Sequence, residues 1–190
     1  QIPVIPYKVC TEGGEFLDGI ETGADGVLSY LTETQKRAWS EEPTVKDYED
    51  LFAQQLTRAQ SIILLTMAQN VSLGYAFALE ASKIFDNVTV VDSEHLSAGT
   101  GLVVLEAAEC AVGGMNKESV IREIECVKRY VRTSFIVDST EYLVRAHRIP
   151  ARINKICQAL MMHPVITLKK SSMKVKSFRM GTREKAWERY

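Results

Sequence analysis

The chain has 190 residues, 46% hydrophobic and 25% charged, the composition of an ordinary globular domain long enough to bury a core. A net charge of -1 gives no general pull toward nucleic acid or an anionic membrane, and no apolar run approaches the roughly 20 residues of a membrane span. Cys10, Cys110, Cys126 and Cys157 form no CxxC pair and His95, His147 and His163 stand alone, so a disulfide framework or zinc site is not expected, and reduced thiols fit a cytoplasmic protein.

Residues 2–10 read as a strand carrying two prolines, hence an edge or crossing segment. The five glycines and mixed polar residues of 11–44 predict loops around one helix near 24–37. Thr44 is a good N-cap, with Asp47 at the third helical position, for a helix to about residue 59. Val45, Tyr48, Leu51, Phe52, Leu56 and Ala59 hold helical spacing along it. A regular alternation follows. Ile62-Ile63-Leu64-Leu65 is a short apolar run of the kind buried on both faces, 72–85 reads as a helix, and Val88-Thr89-Val90-Val91 is a second buried strand ending at Asp92-Ser93. A helix over 98–112 stops at Gly113-Gly114, and Asn116 caps another to about Tyr130. A third strand, Ser134 to Val137, ends at Asp138-Ser139. Helices near 140–146 and 151–162, a hairpin of 165–168 with 174–178 around Lys170-Ser171-Ser172, and a short helix from about 182 complete the chain.

Strands alternating with helices predict an α/β fold with a mostly parallel, doubly wound sheet flanked by helices. Ligands in such sheets bind beyond the carboxyl ends of the strands, where two Asp-Ser pairs stand here. After the first pair, Ser97 and the free N–H groups at Gly99 to Gly101 could hold a carboxylate or phosphate, or Asp92 and Ser97 could simply cap loop and helix. Arg145, His147 and Arg148 could pair with an anionic head or form a solvated helix end. The basic stretch from Lys169 to Lys185 reads as a solvated face. There is no GxGxxG, P-loop or GxSxG motif, and the acidic pairs Glu41-Glu42 and Glu49-Asp50 are adjacent in sequence, a poor arrangement for acid–base work. No enzymatic activity and no cofactor are expected.

At Asp92 the pattern resembles a known family. Val91-Asp92-Ser93 through Ser97-Ala98-Gly99-Thr100-Gly101 and Leu105-Glu106-Ala107-Ala108 resembles the "DS, then S-M-G-L-G, then L-E-A-A" pattern of the DegV family. Val137 to Leu143 with Arg145, Arg148 and Ile149 resembles its "D-T-L-E-Y-L-x-x-G-G-R-I" block, with Ala146-His147 in place of Gly-Gly. His163 to Leu168 is similar to its "K-P-I-L-x-L" strand, Asp18-Gly19 to its "Y-x-D-G", and Arg183 with Lys185-Ala186 to its "R-x-K-A-L". The matches run in order over nearly the whole chain.

The resemblance implies a DegV-like fold with an acyl chain in an apolar tunnel between two lobes, its carboxylate held by hydroxyls of a "T-S-Q-P-S" loop and an "S-S-x-L-S-G-T-Y" turn. Those segments correspond to Ser40-Glu41-Glu42-Pro43-Thr44 and to Ala68-Gln69-Asn70-Val71-Ser72-Leu73-Gly74-Tyr75. On that basis a long-chain fatty acid is the expected ligand. Ser40, Thr44 and Ser72 are the expected head-group donors, Ser97 a support behind them and Arg148 a counter-charge. Glu41 and Glu42 place negative charge where a carboxylate should dock. Arg145 and Arg183 are candidates for a surface facing a partner, which the resemblance implies to be a fatty-acid kinase or fused domains of the same polypeptide. The chain lacks an initiating Met and the family's first strand, and so reads as a single domain (1–190) cut from a longer bacterial protein. Residues 163–190 would then start a second lobe. The uncovered sheet edge could be closed by a neighbouring copy in a homodimer. The alternative reading is a degenerate module for protein–protein interaction or signalling, and an enzyme on small phosphorylated or carbonyl substrates is supported by fold class alone.

Overall fold

The computed structural model describes residues 2–137, 139–145, 150–169 and 171–190. From the N-terminus, β1 (Lys8–Thr11), β2 (Gly14–Leu17) and β3 (Ala38–Glu41) form an antiparallel sheet in the order β2-β1-β3, with α1 (Ala24–Thr34) between β2 and β3. Two of these strands lie inside the segment that reads as loops. Each is only four residues long, and its side chains are mostly exposed, so no apolar alternation marks it in the sequence. Pro3 and Pro6 lie ahead of the first strand, which begins only at Lys8.

Thr44 caps α2 (Val45–Leu56) as expected. Its hydroxyl accepts from the Asp47 N–H, and the Asp47 carboxylate accepts from the Thr44 N–H at 2.8 Å, a reciprocal capping box. The helix buries Tyr48 and Phe52. β4 (Ile62–Thr66), α3 (Gly74–Ser82) and β5 (Val88–Asp92) follow, and β4 pairs parallel with β5 from Ile62 opposite Val88 to Thr66 opposite Asp92. Next come α4 (Ala98–Val112) and α5 (Lys117–Val127), separated by Gly113-Gly114, where Gly114 takes a φ of 81° that favours glycine.

Alternate residues of the parallel pair go to opposite layers. Ile62, Leu64, Val88 and Val90 pack on Tyr48, Phe52, Ala78 and Ala81 of α2 and α3, with Phe52 and Phe85 meeting edge to face at 5.7 Å. Ile63, Leu65 and Val91 pack on Val103 and Ala107 of α4 and on Val120 and Ile124 of α5. Burial on both faces is why these strands are continuous apolar runs, and each fully buried large side chain contributes roughly 1.5–3 kcal/mol.

The third sheet is antiparallel, in the order β6-β7-β8, from β6 (Ser134–Ile136), β7 (Met162–Lys169) and β8 (Ser172–Met180). Helices α6 (Glu141–Arg145) and α7 (Ala151–Ala159) connect the first two strands, and α8 (Arg183–Glu188) follows the last, burying Ala186 against Ile136 and Val165. The fold is α/β, but among the described residues the only parallel pair of strands is β4 with β5. Strands β6 to β8 form a sheet of their own instead of extending the central one, because β7 and β8 are joined as a long hairpin and β6 pairs with that hairpin.

Candidate functional site

The chain leaves β4 at Thr66, where the Ala68 N–H is bonded to the His95 carbonyl and those of Val71 and Ser72 turn back onto the Ala68 carbonyl, bringing Ser72 to the start of α3. Ser72 is buried. Its Oγ lies 2.6 Å from Tyr7 Oη, donates to Glu42 Oε1 at 3.2 Å and accepts from the Gly74 N–H at 3.0 Å. A serine hydroxyl has one hydrogen and two lone pairs. With the hydrogen given to Glu42, Tyr7 is the donor to Ser72 and all three positions are filled. The Leu73 N–H also donates to Glu42 Oε1, at 3.2 Å.

Gly74 makes this convergence possible. A Cβ there would stand 2.9 Å from Tyr7 Oη, 3.0 Å from Tyr48 Oη and 3.3 Å from Ser72 Oγ. Burial pushes the Tyr7 phenol up, against the Ser72 hydrogen bond that lowers it, and Glu42 adds to the rise. Burial likewise raises Tyr48, with the nearby Tyr7 and Glu42 acting in the same direction. Both phenols are therefore neutral hydrogen-bonding groups at ordinary pH. Tyr7 and Tyr48 also line a cavity of about 500 Å³ whose walls include Ile5, Leu65, Val104 and Ala107. A polar cluster at the edge of an apolar cavity of this size is the general form of a small-molecule site.

The other expected residues fall in several places. Ser40 is exposed on β3, opposite Val9 of β1, and Glu42, two residues on, makes the contact with Ser72. Thr44 gives its hydroxyl hydrogen to Asp47 Oδ2 at 2.7 Å, so its donor is committed to the helix cap. Ser97 is exposed, with φ 51° and ψ -131°, and its side chain makes no capping bond. Arg148 and Asp138 lie outside the described residues. Arg145 closes α6, and Arg183 lines a separate cleft of about 310 Å³ with Ser139, Thr140 and His163. No sequence pattern marks Tyr7 or Tyr48 as part of this cluster. Helical spacing places Tyr48 on the core face of α2, and Tyr7 is separated by 65 residues from the serine that it meets.

The turn after β5 is tied inward. Asp92 accepts from the Glu94 N–H at 2.8 Å and from Ser171 Oγ at 3.3 Å, which links this turn to the β7–β8 hairpin. His95 places Nδ1 2.9 Å from Thr133 Oγ1 and Nε2 3.0 Å from the Lys128 carbonyl, so Nε2 carries the proton and Nδ1 accepts from the threonine. Lys128 is almost buried between Glu94 and Glu125 at 3.1 and 2.7 Å. Burial alone would lower its ammonium, and the bonds from Glu125 and Glu94 more than offset this, leaving it raised.

Among the described residues, Cys10, Glu15 and Glu41 bring one potential metal-ligand atom each within 4.8 Å of one another. Glu15 is already paired with Lys8 at 3.0 Å and Glu41 accepts from the Trp39 indole at 3.0 Å. Burial, with the two carboxylates adding to it, pushes the Cys10 thiol up, away from the thiolate a metal needs.

A family model described as "Uncharacterised protein, DegV family" matches residues 1–190. A DegV domain-containing protein of Caldanaerobacter subterraneus subsp. tengcongensis is 26% identical over 175 residues, covering 90% of this chain and 62% of the relative. Another, from Clostridium acetobutylicum, is 23% identical over 187 residues, covering 97% of this chain and 67% of the relative. Among solved structures, a DegV family protein of Thermus thermophilus described for its fatty acid binding is similar with a TM-score of 0.82 at 26% identity, over 95% of this chain and 65% of that one. DegV of Bacillus subtilis, described as a fatty acid binding protein, has the same fold with a TM-score of 0.83 at 23% identity, over 97% of this chain and 66% of that one. The chain thus spans a little under two thirds of the first relatives that it matches.

Proposed function

The chain belongs to the DegV family, and we propose on that premise that it is a non-catalytic binding domain for long-chain fatty acids. The observation that carries this reading is the placement of Tyr7. Its hydroxyl donates to Ser72 at the start of α3, while the same residue lines the apolar cavity of about 500 Å³. An acyl chain in that cavity would put its carboxylate beside the Ser72 hydroxyl and the Leu73 N–H, with Tyr7 and the Gly74 N–H fixing Ser72 from behind, where a helix N-terminus favours negative charge. The Thermus relative's fatty acid binding supports the same ligand class. The residues assigned to the head group are Ser72 and Tyr7, with Tyr48 beside them.

The domain acts as a carrier or sensor in the cytoplasm and hands its ligand to a separate fatty-acid kinase, in keeping with a structural relative described as the Fak B3 protein of Streptococcus pneumoniae. Its four cysteines are unpaired, as a reducing compartment requires. No helix among the described residues is long and apolar enough to cross a membrane.

The test is mass spectrometry of lipid extracted from the purified protein, followed by calorimetric titration with oleate. A copurifying C16–C18 acid, lost or weakened in Ser72→Ala, is the expected result. Bare protein that also ignores oleate and palmitate overturns the reading.

A further inference from the structure

The seat at the start of α3 already holds a carboxylate, and it is the chain's own. Glu42 Oε1 takes the single hydroxyl hydrogen of Ser72 and the N–H of Leu73, both at 3.2 Å. On the proposed reading, these are the two donors left for a ligand carboxylate, since Tyr7 and the Gly74 N–H are spent on Ser72. Among the described residues no lysine or arginine forms an ion pair with Glu42, so its charge is held by neutral donors at the end of a nine-residue helix. Ser72 behind it is buried and fixed by Tyr7 and Gly74, so the seat is a built one. Glu42 itself is presented firmly, because the next residue is the buried Pro43 and the one after is Thr44, anchored by its capping box.

We infer that Glu42 is an internal surrogate for the ligand head group, a tethered carboxylate that occupies the Ser72–Leu73 seat and must leave before a fatty acid can dock. This rests on the fatty-acid reading of the same site. A competitor on a short tether acts at an effective concentration on the order of millimolar, so it weakens any incoming carboxylate without changing the shape of the cavity. Displacement is favoured only when burial of an acyl chain offsets the bonds that Glu42 gives up. The residue is therefore a determinant of affinity, and Glu42→Ala should bind more tightly than the native chain.

The experiment compares the full chain with Glu42→Ala and Glu42→Gln by titration with oleate, and follows the Leu73 and Gly74 amides by NMR during titration with acetate. Amide spectra otherwise like those of the native chain establish that both variants fold. The expected result is oleate binding at least about tenfold tighter in Glu42→Ala, the factor for one charge-assisted hydrogen bond no longer broken, with Glu42→Gln in between. The Leu73 amide should move with acetate in Glu42→Ala and stay still in the native chain. Equal oleate affinity in the native chain and Glu42→Ala overturns the inference and leaves the fatty-acid reading standing. Acetate at Leu73 of Glu42→Ala, with no oleate binding by any variant, supports the seat and sinks the fatty-acid reading. If neither acetate nor oleate binds Glu42→Ala, the inference fails as well.

Discussion

Two turns leave the parallel pair, 67–73 after β4 and 93–97 after β5, and each delivers the chain to the start of a helix. Both hold serines and both lie at the carboxyl ends of strands, where an α/β fold places its ligands. Their polar groups are committed differently. The second turn spends Asp92, Ser93 and His95 on Glu94, Ser171, Thr100, Thr133 and Lys128, all within the frame of the molecule. The first turn points Ser72 and the Leu73 N–H at a carboxylate, beside a cavity. The contrast teaches that a polar strand tip identifies a site only when its donors converge on open or exchangeable space. Equivalent residues whose bonds close internally hold the scaffold together.

The sharpest way to break this comparison is at Gly99, in the first turn of α4. A Cβ there would lie 2.0 Å from Thr133 Oγ1 and 3.1 Å from His95 Cβ. Gly99→Ala should therefore force apart the bond that locks the second turn, at a cost of about 2–3 kcal/mol in urea unfolding, the upper part of the overpacking range. Thr133→Ala in the same background should recover part of the loss. A Gly99→Ala protein within about 0.5 kcal/mol of the native chain would show that the second turn is not locked.

A smaller effect is expected at Thr44, which anchors the loop that carries Glu42 over the first turn. Hydrogen bonds from the Thr44 side chain and then its N–H hold the Asp47 carboxyl below its ordinary value. A depressed carboxyl contributes stability that is present above its unfolded value, near pH 4, and is lost as the pH falls through the lower folded value. Thr44→Ala should cost about 1 kcal/mol near neutral pH, and its gap from the native chain should narrow below about pH 4. A gap that stays constant down to pH 2.5 would mean that Asp47 does not depend on the cap.

The elements legible in the sequence are those whose local signals agree with their packing. Ala98–Val112 matches its predicted bounds because small residues open it and Gly113-Gly114 stops it. Ile62–Thr66 and Val88–Asp92 were legible because burial on both faces demands continuous apolar runs. Strands β2 and β3 were not, since their side chains face solvent and only pairing with Lys8–Thr11 fixes them. In the cluster around Glu42, the family resemblance singles out Ser72, and the capping pattern singles out Thr44 as a helix cap. The negative charge of Glu42 was recognised, but not its seat. Its partner Ser72 is 30 residues away, and no local pattern records a contact across that distance.

The smallest predicted effect bears on Ser97, the residue of the second turn that most resembles a ligand donor in sequence. Its φ of 51° with ψ of -131° is a conformation that glycine adopts freely and serine does not. Its side chain is exposed and makes no capping bond, so no interaction of the hydroxyl offsets the strain. Ser97→Gly should relieve that strain while adding the entropy of a freer unfolded chain, for a net gain of about 0.5 kcal/mol, seen as a small rise in Tm. If the variant instead loses more than about 1 kcal/mol, or weakens oleate binding, the hydroxyl has a partner when ligand is bound. The second turn would then contribute to the head-group site, and the division between a scaffold turn and a binding turn would fall at this residue.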